Sequence, residues 1–478
     1  MSNLLASLIS TADTLQAYGR VLEATQNNVS NASTPGYAKQ RVDLYALPFD
    51  SQGGTTGGVR AGTLVSARNE YAEQAVRTQT TGLGYQQQLT NSLTVLQSNF
   101  DISGNQGIPQ ALNNLLQSFS AWGASPANQA ARLTVLQRAD AFAQASNQTS
   151  NAVSAASHDS EQQIRQTVNQ VNQLVGEMQG YNRLVLQGNT NDPGLSARTH
   201  AALEELSSLA DVQATFQSDG TVSLMLNGQS PLLLDDKQYP VTATLYQPQE
   251  PPPTNPLGPP VMKLQASDGS DIATTGGQLG ALLKLRNEVM PSLIGDGYQM
   301  GALNLMAMQF ADRVNQLLTA GNISNGPPAE SGVPIFTYDA ENPTAIAASL
   351  KADATVTPDQ LAAIQLGPPD VANGVPLALS ALAVPVQAAD EINGVSYSQF
   401  YGQIAGRVGG LLNDAKNNKD VQQSLVSQAK DLRQQYQGVS LDEEATILMQ
   451  FQRAYQANAK FLGVIDQLTQ ITIDILKT

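Results

Sequence analysis

The sequence predicts a mainly α-helical chain of α+β class. Long terminal helices form a coiled-coil bundle, a helical bundle fills the middle, and a small β domain is inserted into that bundle and projects from it. Three observations carry this expectation. Apolar residues recur at steps of three, four and seven through both ends and much of the middle. Hairpin-type turn pairs and strand-forming runs concentrate in one stretch, 210–275. Of 478 residues, 41% are apolar but only 5% aromatic, with a single tryptophan, as in an Ala-, Gln- and Leu-based helical protein rather than an aromatic-rich binding module. The expected divisions are 1–60 for the first helix and the turn after it, 61–209 for the first half of the helical domain, and 210–275 for the β domain. The second helical half follows at 276–438, with a loop-rich segment at 326–394, and the C-terminal helix at 439–478.

The first helix is predicted from Leu8, Leu15, Leu22 and Val29, which fall seven apart, with Leu4, Thr11, Tyr18 and Thr25 between them. It should end near Asn31. Pro35 pre-sets the first turn angle, Gly36 supplies the positive φ of a type II turn, and the proline pushes Thr34 out of helix. Lys39 to Leu47 then alternates weakly as a strand, and Gly53 to Gly58 reads as a flexible loop.

From about Val65 to Gln187 the pattern is helical. Leu89, Leu93, Leu96 and Phe100 lead to Gly104, and Leu112, Leu115, Leu116, Phe119 and Trp122 precede Ser125-Pro126. Arg132, Val135, Leu136, Ala139 and Phe142 open a longer helix that Ile164, Val168, Val171, Leu174 and Val175 continue. Strands are expected around the turns Asp219-Gly220 and Asn227-Gly228 and over Val241–Tyr246. The prolines of Pro248–Pro260 exclude helix and central strand, so this run reads as an extended surface excursion. Helix returns at Gly276–Asn287, continues through Leu303, Met306, Phe310, Val314 and Leu317, and resumes over Tyr397–Gln437.

The last helix should start at Ser440-Leu441-Asp442-Glu443, which has the form of a capping box, with Asp442, Glu443 and Glu444 where the helix dipole favours negative charge. Gly438 suits a left-handed residue ending the preceding helix. Leu441, Ala445, Leu448, Phe451, Tyr455, Leu462, Ile465, Leu468, Thr472 and Ile475 then give a narrow seam that needs a partner. The N-terminal seam offers one. The two ends either share one bundle or pack separately onto a globular core.

Several function classes are excluded. A net charge of −15 lacks the basic footprint of a nucleic-acid binder. Without cysteine there is no disulfide, thiolate nucleophile or cysteine metal site. No apolar run reaches the roughly 18 residues of a membrane-spanning helix. The first basic residue is Arg20, so the cationic start of a cleavable signal is missing. His158 and His200 lack HExxH spacing and are expected on the surface, and neither a GxSxG elbow nor a Walker loop is present. No catalytic, cofactor-binding or metal residue is expected.

Asn27-Asn28-Val29-Ser30-Asn31-Ala32-Ser33-Thr34-Pro35-Gly36-Tyr37 resembles the N-terminal signature of the bacterial flagellar axial family, the rod, hook and hook-associated proteins. Leu441-Asp442-Glu443-Glu444, followed by Gln450 to Lys460, resembles the C-terminal signature of the same family. Trp122 with Ser125-Pro126 and Ala131-Arg132, and Gly276 to Asn287, are similar to segments of its hook-associated protein 1 branch. One stretch departs from that branch: Ser196-Ala197-Arg198-Thr199-His200 stands where a D-Q-R-D run is usual.

The resemblance implies a structural subunit at the junction of hook and filament, self-associating, with hook protein below and a second junction protein or filament above. It implies an extracellular location in the flagellum, reached by export without a cleavable signal and with a chaperone acting near the C-terminus. It also implies termini that order into coiled coil on assembly. On this reading Leu8, Leu15, Leu22, Val29, Leu448, Phe451, Tyr455, Leu462 and Ile465 line the assembly interface. Asn28, Asn31, Thr34, Pro35, Gly36 and Tyr37 form the turn between inner coiled coil and outer bundle. The residues also admit another axial part, or a surface adhesin displayed on a coiled-coil stalk with the β domain as its active part.

Overall fold

The computed structural model describes residues 2–50, 55–100, 105–247 and 259–477. All but the last two residues of the proline-rich run Pro248–Pro260 lie outside them, as do Gly53, Gly54 and Gly104.

Helix α1 (Ser2–Ser30) ends where Thr34-Pro35-Gly36-Tyr37 turns. Gly36 has φ +72°, and the Tyr37 N–H reaches the Thr34 carbonyl at 3.1 Å, so the glycine supplies the conformation the turn requires. Strand β1 (Gln40–Ala46) follows, then β2 (Phe49–Asp50), β3 (Thr55–Thr56) and β4 (Val59–Ser66). β1 pairs antiparallel with β4, and β2 with β3, so Gly53–Gly58 is not loop throughout. β4 crosses the expected division at residue 60. Its sequence, VRAGTLVS, alternates too weakly to betray a strand because the ribbon is only partly covered on either face.

The body begins with α2 (Glu70–Gln97), α3 (Gly107–Ala124), α4 (Gln129–Leu186) and α5 (Pro193–Leu209). Strands β5 (Val212–Phe216), β6 (Val222–Leu226), β7 (Ser230–Leu234) and β8 (Lys237–Gln238) form an antiparallel meander. Asn227 at φ +51° and Gly228 at φ +66° make its tight turn between β6 and β7. β9 (Thr242–Tyr246), β10 (Val261–Gln265) and β11 (Asp271–Ile272) form a second sheet in the order β11-β10-β9. Helices α6 (Gly277–Lys284), α7 (Met290–Ile294) and α8 (Ala302–Thr319) return to the body. Then come β12 (Gly321–Ser324), β13 (Glu330–Ser331), β14 (Phe336–Thr337), α9 (Ile346–Ser349), β15 (Lys351–Ala352), β16 (Ile364–Gln365) and α10 (Gly374–Ala381). Helices α11 (Tyr397–Gln437) and α12 (Leu441–Lys477) complete the chain.

Two apolar cores hold the body. The larger joins α2, α3 and the first half of α4 to α8, α10 and α11, and buries Trp122, Phe119, Phe142, Phe310 and Tyr397. Phe310 is its aromatic centre, with ring centres 4.8 Å from Phe142 and 5.1 Å from Tyr397. Ile335, Phe336, Leu361, Leu379 and Leu382 of the loop-rich segment are buried in it, which ties that irregular chain down. The second core lies between Ile164–Met178 of α4, the apolar face of α5, and the β strands. Leu279 and Leu282 of α6 complete it, so the inserted sheets share a core with three helices of the body.

Two termini differ from expectation. Gly438 is extended, at φ −69°, rather than left-handed. Its hydrogen side chain matters for space, since a Cβ there would come within 2.4 Å of the Gln434 carbonyl. At the start of α12 the Ser440 hydroxyl accepts the Glu443 N–H at 3.4 Å, but the Glu443 carboxylate turns to Lys39 instead of closing the box.

Candidate assembly site

Helices α1 and α12 pack against each other, and they run antiparallel, because Asn28 at the end of α1 meets Glu444 at the start of α12. Further along, Tyr18 stands edge-on to Phe451 at 5.5 Å. Leu8, Leu15, Leu22, Leu448, Phe451 and Leu462 are half-buried along the pair and Ile465 is fully buried, while Val29 and Tyr455 are 41% and 40% exposed. The deepest α1 positions are instead small or polar: Thr11, Thr14, Ala17, Val21, Ala24, Thr25 and Asn28. They let the β1–β4 ribbon approach closely; Thr14 Oγ1 accepts the Val59 N–H at 3.2 Å, and Ser10 donates to the Gly57 carbonyl. A search for large apolar side chains passes over that face.

The two terminal signatures are bonded to each other through Asn28, which is 1% exposed. Its amide nitrogen donates to the Gln40 carbonyl at 2.8 Å and to Glu444 Oε2 at 3.0 Å. Its oxygen accepts the Gln40 N–H at 2.8 Å and the Tyr37 hydroxyl at 3.0 Å. Burial and the nearby Glu444 push the Tyr37 phenol up to about 12, so it stays a donor. Lys39 pairs with Glu443 at 3.0 Å and with the buried Glu444 at 3.1 Å. The rest of the turn is local: Asn31 donates to the Asn27 carbonyl at 3.0 Å, Thr34 donates to Asn31 Oδ1 at 3.1 Å, and Pro35 is exposed.

Gly36 fastens this unit to the body. A Cβ on it would lie 2.3 Å from the Ala197 carbonyl of α5, and its own carbonyl accepts Arg68 Nη2 at 2.6 Å. Arg68 also pairs with Glu73, which accepts Gln437 Nε2 at 2.7 Å and Arg433 at 3.2 Å. Arg433 and Lys430 both reach Glu204, at 2.8 and 2.6 Å.

His200 lies in this cluster, 4% exposed, which corrects the expectation of a surface residue; the side chain of His158 is 77% exposed. The reason is the face of α5 on which His200 falls, with Leu203 and Ser207 one and two turns on, all buried. Its ring stacks on Phe216 at 5.0 Å. Burial, and then Arg68, Arg77 and Arg433, hold the imidazole well below its usual range.

Beside the seam facing α1, helix α12 carries a second apolar stripe. Phe461, Val464, Leu468, Ile471 and Ile475 follow one another at three and four residues and are 49–67% exposed. Leu5 and Ile9 of α1 are exposed too, at 58% and 54%. The expected seam included Leu468 and Ile475 but merged them with the inner line. The signal for two lines was present in the sequence, as Phe461 and Val464 directly precede Leu462 and Ile465. No described helix is long and apolar enough to cross a membrane.

Residues 93–336 match the model of the flagellar hook-associated protein FlgK helical domain. The chain belongs to the FlgK family. Residues 433–475, which hold the end of α11 and most of α12, match the C-terminal model of the flagellar basal body rod FlgEFG proteins. The flagellar hook-associated protein 1 of Bacillus subtilis strain 168 is 26% identical over 502 residues, covering 96% of each chain. The solved structure of the flagellar hook junction protein FlgK from Burkholderia pseudomallei shares the fold, with a TM-score of 0.61 at 15% identity, over 77% of this chain and 100% of that one. The chain is thus a flagellar hook-associated protein, a component of the flagellum that associates with other flagellar parts.

The FlgK helical domain explains two motifs read from the sequence. Trp122 Nε1 and Arg132 Nε both donate to the Pro126 carbonyl, at 3.2 and 2.8 Å, and the guanidinium lies 5.9 Å from the indole centre, which closes the turn between α3 and α4. In Gly276–Asn287, Gly277 has φ +65° and lets α6 start against Ala210, where a Cβ would meet backbone at 2.5 Å. Arg286 pairs with Glu161 of α4 at 2.7 Å, and the Asn287 amide both donates to and accepts from the backbone of Met262 at 2.9 Å. This motif clips the β domain onto the body.

Proposed function

We propose that this chain is the structural subunit joining hook to filament, assembled through its terminal helix pair. The observation that carries this reading is the exposed stripe on α12, presented by a pair whose inner seam and polar joint are already satisfied. Burying a large apolar side chain stabilises by about 1.5–3 kcal/mol when complete, so half-exposed residues in such a stripe offer several kcal/mol to a neighbour. That gain must offset the entropy lost when the helix pair is fixed in the assembly.

On this reading copies of the chain meet one another, hook protein lies below, and a second junction protein or filament lies above. Export proceeds without a cleavable signal, with a chaperone covering the C-terminal region beforehand, and the chain performs no catalysis. Deleting the gene in its host and complementing it with the intact chain tests the role. Complete hooks without filaments, with flagellin lost to the medium, support it. Arrest below a complete hook would indicate another axial part, and normal filaments would overturn the reading and shift attention to the β domain as an adhesive module.

A further inference from the structure

His200 sits where the terminal unit meets the body; three helices packed there contribute charge, and β5 supplies the uncharged Phe216. Arg68 precedes α2, which adds Glu70, Glu73 and Arg77; α5 adds Glu204 and its capping Asp192; α11 adds Lys430 and Arg433. His200 Nε2 is 3.5 Å from Glu70 Oε1 and Nδ1 is 3.9 Å from Glu73 Oε1, and Nδ1 has no hydrogen-bond partner. A cavity of about 230 Å³, lined in part by Arg68, Glu70, Asp192 and Thr199, opens onto the ring. The Glu73 oxygen that faces Nδ1 is the one that already takes Arg68 and Gln437. Those two residues are the anchors of the joint: Arg68 holds the Gly36 carbonyl, and the Gln437 carbonyl accepts the Lys39 N–H at 2.9 Å.

We infer that His200 is a proton-sensitive latch on the joint between the terminal helix pair and the helical body. A neutral imidazole leaves Glu73 to Arg68 and Gln437. An imidazolium in the same place competes for that carboxylate and adds a positive charge beside Arg68, Arg77 and Arg433. The closed joint disfavours the proton, and an opened, hydrated joint accepts it at an ordinary value near 6.5. The sign follows: opening gains nothing above that value, and the open-to-closed ratio rises by up to about tenfold for each pH unit below it, until the closed form itself takes the proton.

The absence of native cysteine allows the test on the full chain. Val95→Cys on α2 and Gln467→Cys on α12 carry a fluorescent donor and acceptor, and energy transfer between them is followed from pH 8 to pH 5. The expected result is a growing low-transfer population below about pH 6.5, absent in His200→Phe, which keeps the stack on Phe216 but cannot titrate. Glu70→Gln should keep the pH dependence, since its carboxyl is raised by burial and is the competing titrating group. No change in the parent, or a dependence that survives His200→Phe and vanishes in Glu70→Gln, overturns the latch. If His200→Phe fails to fold, carbon-13 histidine spectra of the His158→Gln chain report His200 alone. Its protonation should track the transfer change, and an ordinary titration with constant transfer overturns the inference.

Discussion

Replacing Asn28 by alanine removes the side chain that, among the described residues, bonds the two terminal signatures to each other. Four hydrogen bonds are lost: the Gln40 N–H and carbonyl lose their side-chain partner, and the Glu444 carboxylate, 1% exposed, keeps only Lys39 at 3.1 Å. Leaving a buried polar group unpaired costs about 1–3 kcal/mol, so two unpaired backbone groups and a carboxylate short of one donor put the loss at the joint at about 4 kcal/mol. That is close to a thousandfold in the local opening equilibrium. Native-state hydrogen exchange reads it directly at the Gln40 amide, whose proton is held by Asn28 Oδ1 at 2.8 Å. Amides of α8, in the larger core, should be unaffected. A double-mutant cycle with Glu444→Gln should show a coupling of about 1.5–3 kcal/mol, the range for a hydrogen bond to a charged group. Less than a tenfold change at Gln40, or no coupling, would refute Asn28 as the hub.

Four other substitutions separate surface from joint. Leu468→Asp changes a 49% exposed residue of the outer stripe, so urea unfolding should move by no more than about 0.5 kcal/mol while filament assembly is blocked; normal motility would remove the stripe from the interface. Leu15→Asp and Leu462→Asp place charge in the half-buried inner seam and should block incorporation with the body still folded, as circular dichroism of the purified chain would show; global unfolding would make these residues ordinary core. Gly36→Val forces a β-branched residue to φ +72°, a cost of about 1–2 kcal/mol before its Cβ meets the Ala197 carbonyl. Junctions should fail to form, and normal junctions in that variant would show that the turn need not dock on α5.

Helices with a repeating apolar seam were legible because periodicity reports a buried face directly. Leu89, Leu93 and Leu96, and Phe310 and Val314, lie in the core where their spacing put them. The turns Asp219-Gly220 and Asn227-Gly228 were legible for the same local reason, since only certain residues tolerate positive φ. What escaped depends on partners distant in sequence. β4 is a strand because β1 and α1 lie against it, not because of its own alternation. Gly438 is a glycine because Gln434 crowds it, which no backbone preference reveals. His200 reads as polar, yet it is buried because Phe216 and the cluster around Glu73 close over it. The outer stripe was hidden by its nearness to the inner one, a shift of a single residue that periodicity over a long helix blurs.

The heptad spacing of the inner seam explains why the polar joint is needed. An apolar seam with heptad spacing can slide by seven residues and pair almost as well, so α1 and α12 alone would leave their relative height poorly specified. Asn28 makes slippage costly: moved by one heptad, it would leave behind the Gln40 backbone, the Tyr37 hydroxyl and Glu444 together. Gly36 and Arg68 then tie that height to α5 and α2. The outer stripe is thereby held at one position relative to the body, and in the proposed assembly a neighbour docking on it would meet α12 and the helical domain in a defined register. Polar residues in this pair thus contribute specificity, while the exposed apolar ones remain available for affinity.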